Sequence, residues 1–235
     1  MIDLRSRLEE IGAPDALVRS TGETSEHEDE TLGGIWDRCR RGDHRLWLAA
    51  VAGVPVERIV EAAGSAILFA ATGREGAEAL AGAIERALGS DSPEECLARA
   101  ARCEELAERG PGGYRSGPSA GFAALARGAG LVARACEGLI AAEAALSATR
   151  RERARRSATL LGAGEQALLG PDPGPAAVLA APPAHPARHL LCFTVAACAQ
   201  AVDEACASIS APEDELEPSR EALDEVGWEA LELEG

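Results

Sequence analysis

His185, His189 and Cys192 come closest to a chemical constellation in this chain. Offsets of four and three residues place them on one helical face, and zinc accepts imidazole and thiolate ligands. Pro186 leaves His185 at the helix entrance, however, and a fourth ligand would have to come from a distant cysteine. Cys192 lies in an apolar stretch, where a thiol serves as a small buried hydrophobe. We therefore read the trio as a cap and core thiols, and expect neither a metal nor any other cofactor.

Other patterns fail on context. Gly117-Pro118-Ser119-Ala120-Gly121 matches the nucleophile elbow, but that chemistry needs a strand feeding a sharp turn. The preceding residues are a Gly/Pro loop, so Ser119 is expected to cap a helix. Gly128–Ala133 and Gly162–Ala167 both fit a loose dinucleotide fingerprint, and neither follows a strand pattern. A di-iron bundle would need Glu-x-x-His pairs, and none of the four histidines has a glutamate three residues before it. The run Arg150-Arg151-Glu152-Arg153-Ala154-Arg155-Arg156 carries +4. We read it as a solvated helix face or a seat for the protein's own acidic tail, and expect no nucleic-acid partner. No catalytic residues are assigned, and the chain is expected not to be an enzyme.

The elements around these residues are helical. The chain has 235 residues, enough to bury one core with tails. Hydrophobic residues make up 46% and aromatics 3%, so the apolar content is mostly Ala, Leu and Val. Such small side chains suit closely packed helices better than a sheet sandwich. No period-two alternation bounded by turns occurs.

Boundaries are legible in several places. Asp3 and Gly12 bracket a first helix, and Pro14 can open a second. The spacing predicts a short helix over Trp36–Arg41, stopped by Gly42. Asp43 would then cap His44–Ala52, which Gly53 ends. Pro55 opens a helix whose buried face is Val56, Ile59, Val60, Ala63, Ile67 and Ala70. Ala77, Leu80, Ala81, Ile84 and Leu88 make the next stripe. Ser92-Pro93-Glu94-Glu95 combines an N-cap serine, an N1 proline and an N3 glutamate, as in a capping box. Ser119 starts a long helical stretch to Leu169 with one break between Gly162 and Gly164. Six prolines then occupy residues 170–186, and Pro186 opens a last helix to about Ile209. The expected fold is all-α, a multi-helix bundle of mostly antiparallel helices over residues 1–210. An acidic loop at 21–31 interrupts it, and an acidic tail at 211–235 follows it.

The net charge of −16 is local in origin. Residues 21–31 carry five acids and no arginine, a charge of −5. Residues 211–235 carry ten acids and Arg220, a charge of −9, and residues 1–20 add −1. That leaves −1 for everything from Leu32 to Ser210. The basic residues are all arginine. In the tail, Ser219 can cap a short helix in which Leu223, Val226 and Ala230 recur at helical spacing beside Trp228. A purely solvating tail has no need of a tryptophan, so Glu213, Asp214, Glu215, Leu223, Val226 and Trp228 are the candidate partner-binding residues.

The start, MIDLRSRLEE, is charged and lacks the apolar core of a signal peptide. The longest apolar run, near Leu190–Ala199, falls short of the roughly 20 residues that span a bilayer. The reading is a soluble, cytoplasmic protein with no membrane contact, whose seven cysteines are reduced thiols.

One stretch is distinctive: Trp36-Asp37-Arg38-Cys39-Arg40-Arg41-Gly42-Asp43-His44-Arg45-Leu46-Trp47-Leu48-Ala49-Ala50. It resembles the Cys-Arg-Arg-Gly-Asp…Leu-Trp-Leu-Ala segment of a family of helical immunity proteins from bacterial polymorphic-toxin systems. The order of elements from Val56 to about Ala207 looks similar as well. The chain departs from that family in having a single tyrosine, Tyr114, and in its acidic loop and tail. Physically the motif reads as structural, with Trp36 and Trp47 packing a helix corner and Arg40 and Arg41 tying down neighbouring carboxylates or carbonyls. The resemblance implies a protein that blocks a toxin domain by occupying its surface. Acidic segments would steer it to a basic target. A different class of function is an adaptor that docks into an assembly through the Trp228 tail.

Overall fold

In the computed structural model, the described residues are 4–21, 32–111, 117–161 and 186–209. They form nine helices and no strand. These are α1 (Leu4–Ile11), α2 (Asp15–Ser20), α3 (Leu32–Arg38), α4 (Gly42–Ala52), α5 (Val56–Ala71), α6 (Ala77–Leu88), α7 (Pro93–Arg109), α8 (Ala120–Leu161) and α9 (Pro186–Ile209). The all-α expectation holds for these residues. The proposed break at Gly162–Gly164, Asp3 and the entire tail lie outside them.

The core is built around α8 and α9. Close approaches at Gly128 of α8 (Ala201 and Glu204 of α9) and at Gly138 (Thr194 and Leu190) set the pairing. The indices run in opposite directions, so the two helices are antiparallel. Small residues at the seam bring the backbones together: a Cβ at Gly128 would collide with Ile67 Cδ1 and lie 3.2 Å from the Ala201 carbonyl oxygen. α5 packs into the same junction, and α7 meets α8 at Gly130, beside Cys103 and Ala100. Leu46, Leu48, Ile59, Ile67, Leu80, Ile84, Leu125 and Leu191 are fully buried. In α6 the predicted stripe is only partly interior, because Leu88 at its last turn is 40% exposed. Arg127 closes the α8–α9 seam at one end with two bonds to Glu204, at 3.0 and 2.9 Å. At the other end of α9, buried Arg188 ties that helix to α1, donating to the Glu10 carboxylate (3.2 Å) and carbonyl (3.4 Å).

The helix ends show which local signals carry weight. Gly53, at φ 88°, ends α4 in the left-handed conformation that a glycine adopts without steric cost. Ser119 Oγ accepts from the Phe122 amide at 3.1 Å, so the serine of the elbow pattern is a cap. Gly128–Ala133 lies inside α8, with no strand–turn–helix about it. At α7, Ser92 Oγ accepts from the Glu95 amide (3.3 Å), but the return half of the capping box is absent. Ser90 intervenes: its hydroxyl accepts from the Ser92 amide (3.1 Å) and donates to Glu95 (3.0 Å).

α9 also modifies the membrane expectation. Ala187–Ile209 is long and apolar enough to cross a bilayer by length and composition alone. The run exceeds Leu190–Ala199 because alanines and cysteines extend it, with Arg188 and His189 at its start and Asp203 and Glu204 near its end. Half of its apolar window is buried inside the protein, against α8, α5 and α4.

Two helix-interior glycines should respond in opposite directions to the same change. Gly82 of α6 would place a Cβ 3.1 Å from Arg86 Nη2, the far end of an exposed side chain that bonds the Gly82 carbonyl and can turn aside, and near nothing else. Gly82→Ala should therefore raise stability by roughly 0.5–1 kcal/mol through helix propensity. Gly128→Ala gains the same propensity but meets Ile67 and a backbone carbonyl. Overpacking costs about 1–3 kcal/mol, so its net effect should be destabilising. Urea unfolding of both variants checks the signs.

Candidate interaction site at the α3–α4 corner

The distinctive Trp36–Ala50 segment folds into a corner, though with different boundaries from those expected. α3 ends at Arg38, and Gly42 is the buried first residue of α4, not the terminator of the helix before it. Arg41 is the N-cap, in extended conformation, and no side chain caps the helix. Asp43 therefore lies in the first turn, not at the cap, and its carboxylate is engaged by Arg41. Arg41 Nε and Nη2 donate to its two oxygens at 3.0 and 2.8 Å. This fork-to-fork geometry is the strongest kind of arginine–carboxylate contact. It holds the entry to α4 rigid without a capping bond.

Arg41 also reaches across to α9, where its Nη2 lies 3.8 Å from Asp203. The tying role expected of the two arginines thus falls to Arg41, while Arg40 is exposed. Arg45 binds the loop from the other side, donating to the Cys39 carbonyl at 2.7 Å with its guanidinium 5.7 Å from the Trp36 ring. Trp47 faces the core at 4% exposure, whereas Trp36 is only half-buried.

His44 sits next to Asp43 with its Nε2 3.8 Å from the carboxylate. Burial lowers its pKa below the usual 6.5, and the Asp43 charge only partly opposes this. The unfolded chain therefore takes up a proton more readily than the folded one as pH falls below 6.5. Stability contributed by the neutral imidazole is complete above that value and is lost as pH falls toward the folded-state pKa. His44→Gln should flatten the stability profile between pH 7 and 5, measured by urea unfolding at each pH.

The other candidate residues are not gathered into a site. His189 is exposed on α9 and Cys192 half-buried beside Arg188; His185 lies outside the described residues. Among the described residues no group of three or more His, Cys, Asp or Glu could hold a metal ion. Burial raises the Cys192 thiol, with Arg188 pulling the other way. Cys96, Cys103, Cys136 and Cys198 are buried, and burial pushes Cys103 up to about 11 and Cys136 to about 12. These are inert core thiols. The side chains of Arg150–Arg156, on the last part of α8, lie outside the described residues, as do Glu213, Asp214, Glu215, Leu223, Val226 and Trp228.

Sequence reasoning missed one relation. The acidic loop ends at residue 31, immediately before α3, and the acidic tail begins after Ile209 of α9. The Arg41–Asp203 contact and the Arg45–Trp36 stacking bring α3, the start of α4 and the end of α9 to one pole of the bundle. Arg74, in the α5–α6 turn, donates to the Ser208 carbonyl at 3.3 Å there. The segment that carries −9 thus leaves the body at this pole, and the segment that carries −5 enters α3 there, having left α2 at Thr21. Compared with protein-family models, with curated proteins and with solved structures, the chain matches none.

Proposed function

We propose that this chain is a non-enzymatic protein-binding protein of the immunity type, cytoplasmic and bacterial, which blocks a toxin domain by occupying its surface. The observation that supports the reading is that the −9 segment leaves a nearly neutral helical body at the pole where the −5 segment enters α3. Opposite charge concentrated at one end orients a basic protein before contact and speeds its capture, whereas the same charge spread evenly would only confer solubility. The helical body then serves as a rigid platform, and inhibition is steric. Neither a nucleic acid nor a membrane is part of the proposed interaction.

Affinity capture from the native host, with identification of the retained protein and assay of its activity, tests this. Recovery of one basic protein whose activity the chain suppresses at one-to-one stoichiometry supports the reading. Recovery of a multi-component assembly, lost when the chain ends at Ser210, would replace it with the adaptor function.

A further inference from the structure

We propose that the first part of the acidic tail, Glu213–Glu217, docks on the arginine corner of its own chain, formed by Arg38, Arg40 and Arg41. The corner already accepts a carboxylate from the helix that leads into the tail: Asp203 of α9 lies 3.8 Å from Arg41 Nη2. Arg38, Arg40 and Arg41 are all exposed. Arg41 spends its Nε and Nη2 on Asp43, and a guanidinium offers five N–H groups in all.

The chain path makes the contact reachable. α9 ends at Ile209, about 9 Å along the axis from Asp203 at 1.5 Å per residue. Glu213, Asp214, Glu215 and Glu217 follow four to eight residues later. An extended chain covers about 13–28 Å over that length, more than the return to the corner requires. The acidic loop is a poorer occupant. It enters at the N-terminus of α3, the helix end that itself favours negative charge, whereas Arg38 is the last residue of that helix and Arg40 and Arg41 follow it.

Each ion pair at such an exposed site is weak and screened by salt. A short tether, however, supplies a millimolar local concentration without any partner. The docked tail would neutralise the arginine corner in the free protein. A basic partner of the kind described above would compete for the same carboxylates, release the tail and leave the arginines to form new contacts. The docking itself does not depend on that partner's being a toxin.

The absence of lysine from the chain gives a direct test. In full-length Arg40→Lys, the introduced amine is the one side-chain amine present. A carbodiimide activates a carboxylate, and attack by the amine forms an amide while the reagent leaves as a urea carrying the oxygen lost. Mass spectrometry of the monomer then shows which carboxylate was joined; Arg38→Lys serves as a second variant, and circular dichroism checks that both fold. Cross-links to Asp43 and Asp203, which the structure places beside Arg41, are the internal control. The expected result is cross-linking to Glu213–Glu217 in the monomer at about 0.01 M salt, falling several-fold at about 1 M, where the screening length shrinks to about 3 Å. Cross-links confined to the control residues, to residues 23–30, or to covalent dimers would overturn the proposal. The experiment contains no partner, so its failure leaves the binding function standing, and failure to find a partner leaves the docking standing.

Discussion

Trp47→Ala should lower the unfolding free energy by about 3–5 kcal/mol, the usual cost of removing a large buried aromatic. Trp47 is 4% exposed in the middle of α4 and belongs to the continuous core. Truncation leaves a cavity that the neighbouring helices fill only in part. Trp36→Ala should cost far less. That ring is half-buried and loses some packing plus its contact with Arg45, worth about 0.5–1 kcal/mol at an exposed site. A urea titration that shifts the midpoint at unchanged slope measures both. Equal losses would show that the two tryptophans share one packing role.

A second large effect is expected at Gly76, the N-cap of α6. Its φ of +83° is a conformation L-residues avoid, at a cost of about 1–2 kcal/mol. An added Cβ would also come within 2.6 Å of Phe122 Cε2 and 2.7 Å of Pro111 Cβ. Both are parts of rings with little freedom to move, and relieving such contacts costs about 1–3 kcal/mol. Gly76→Ala should therefore lose about 2–5 kcal/mol. Gly53→Ala provides the comparison: φ is 88° but nothing lies within 4 Å, so only the conformational cost should appear. Similar losses in the two variants would mean that the close contacts at Gly76 relax freely.

These sites show why the fold was largely legible in the sequence and the corner only partly so. The face Val56, Ile59, Val60, Ala63, Ile67, Ala70 is buried throughout, because 3.6-residue periodicity reports a property of one helix alone. Gly53, Ser92 and Ser119 act locally and perform as expected. Gly42 and Asp43 do not, since their roles depend on Arg41. A helix start can be held by an ion pair as well as by a cap, and the residue types alone do not distinguish the two. Ser90 is the same lesson at smaller scale: a hydroxyl outside the Ser-x-x-Glu pattern takes over half of its bonds.

The candidate site depends on relations that no sequence window contains. The charge map was readable, with −5 in one segment and −9 in another. That the tail leaves the body where the acidic loop enters α3 was not, because it follows from the contact of Arg41 with Asp203, 162 positions further along the chain. The trio His185, His189 and Cys192 shows the converse. His189 and Cys192 do lie three residues apart on α9, yet the first is exposed, the second is half-buried against Arg188, and His185 lies outside the described residues, so spacing alone builds no site.

The central claim is that the acidic pole draws in a basic protein. Its most direct test is the association rate of the captured partner with the full-length chain and with a chain ending at Ser210, measured across a range of salt. The account predicts a full-length rate that falls steeply with ionic strength, by at least tenfold where steering operates. Removing the tail should slow association at low salt and flatten that dependence. Equal rates and equal salt dependence for the two chains would contradict the account, because the −9 tail would then contribute nothing to the encounter.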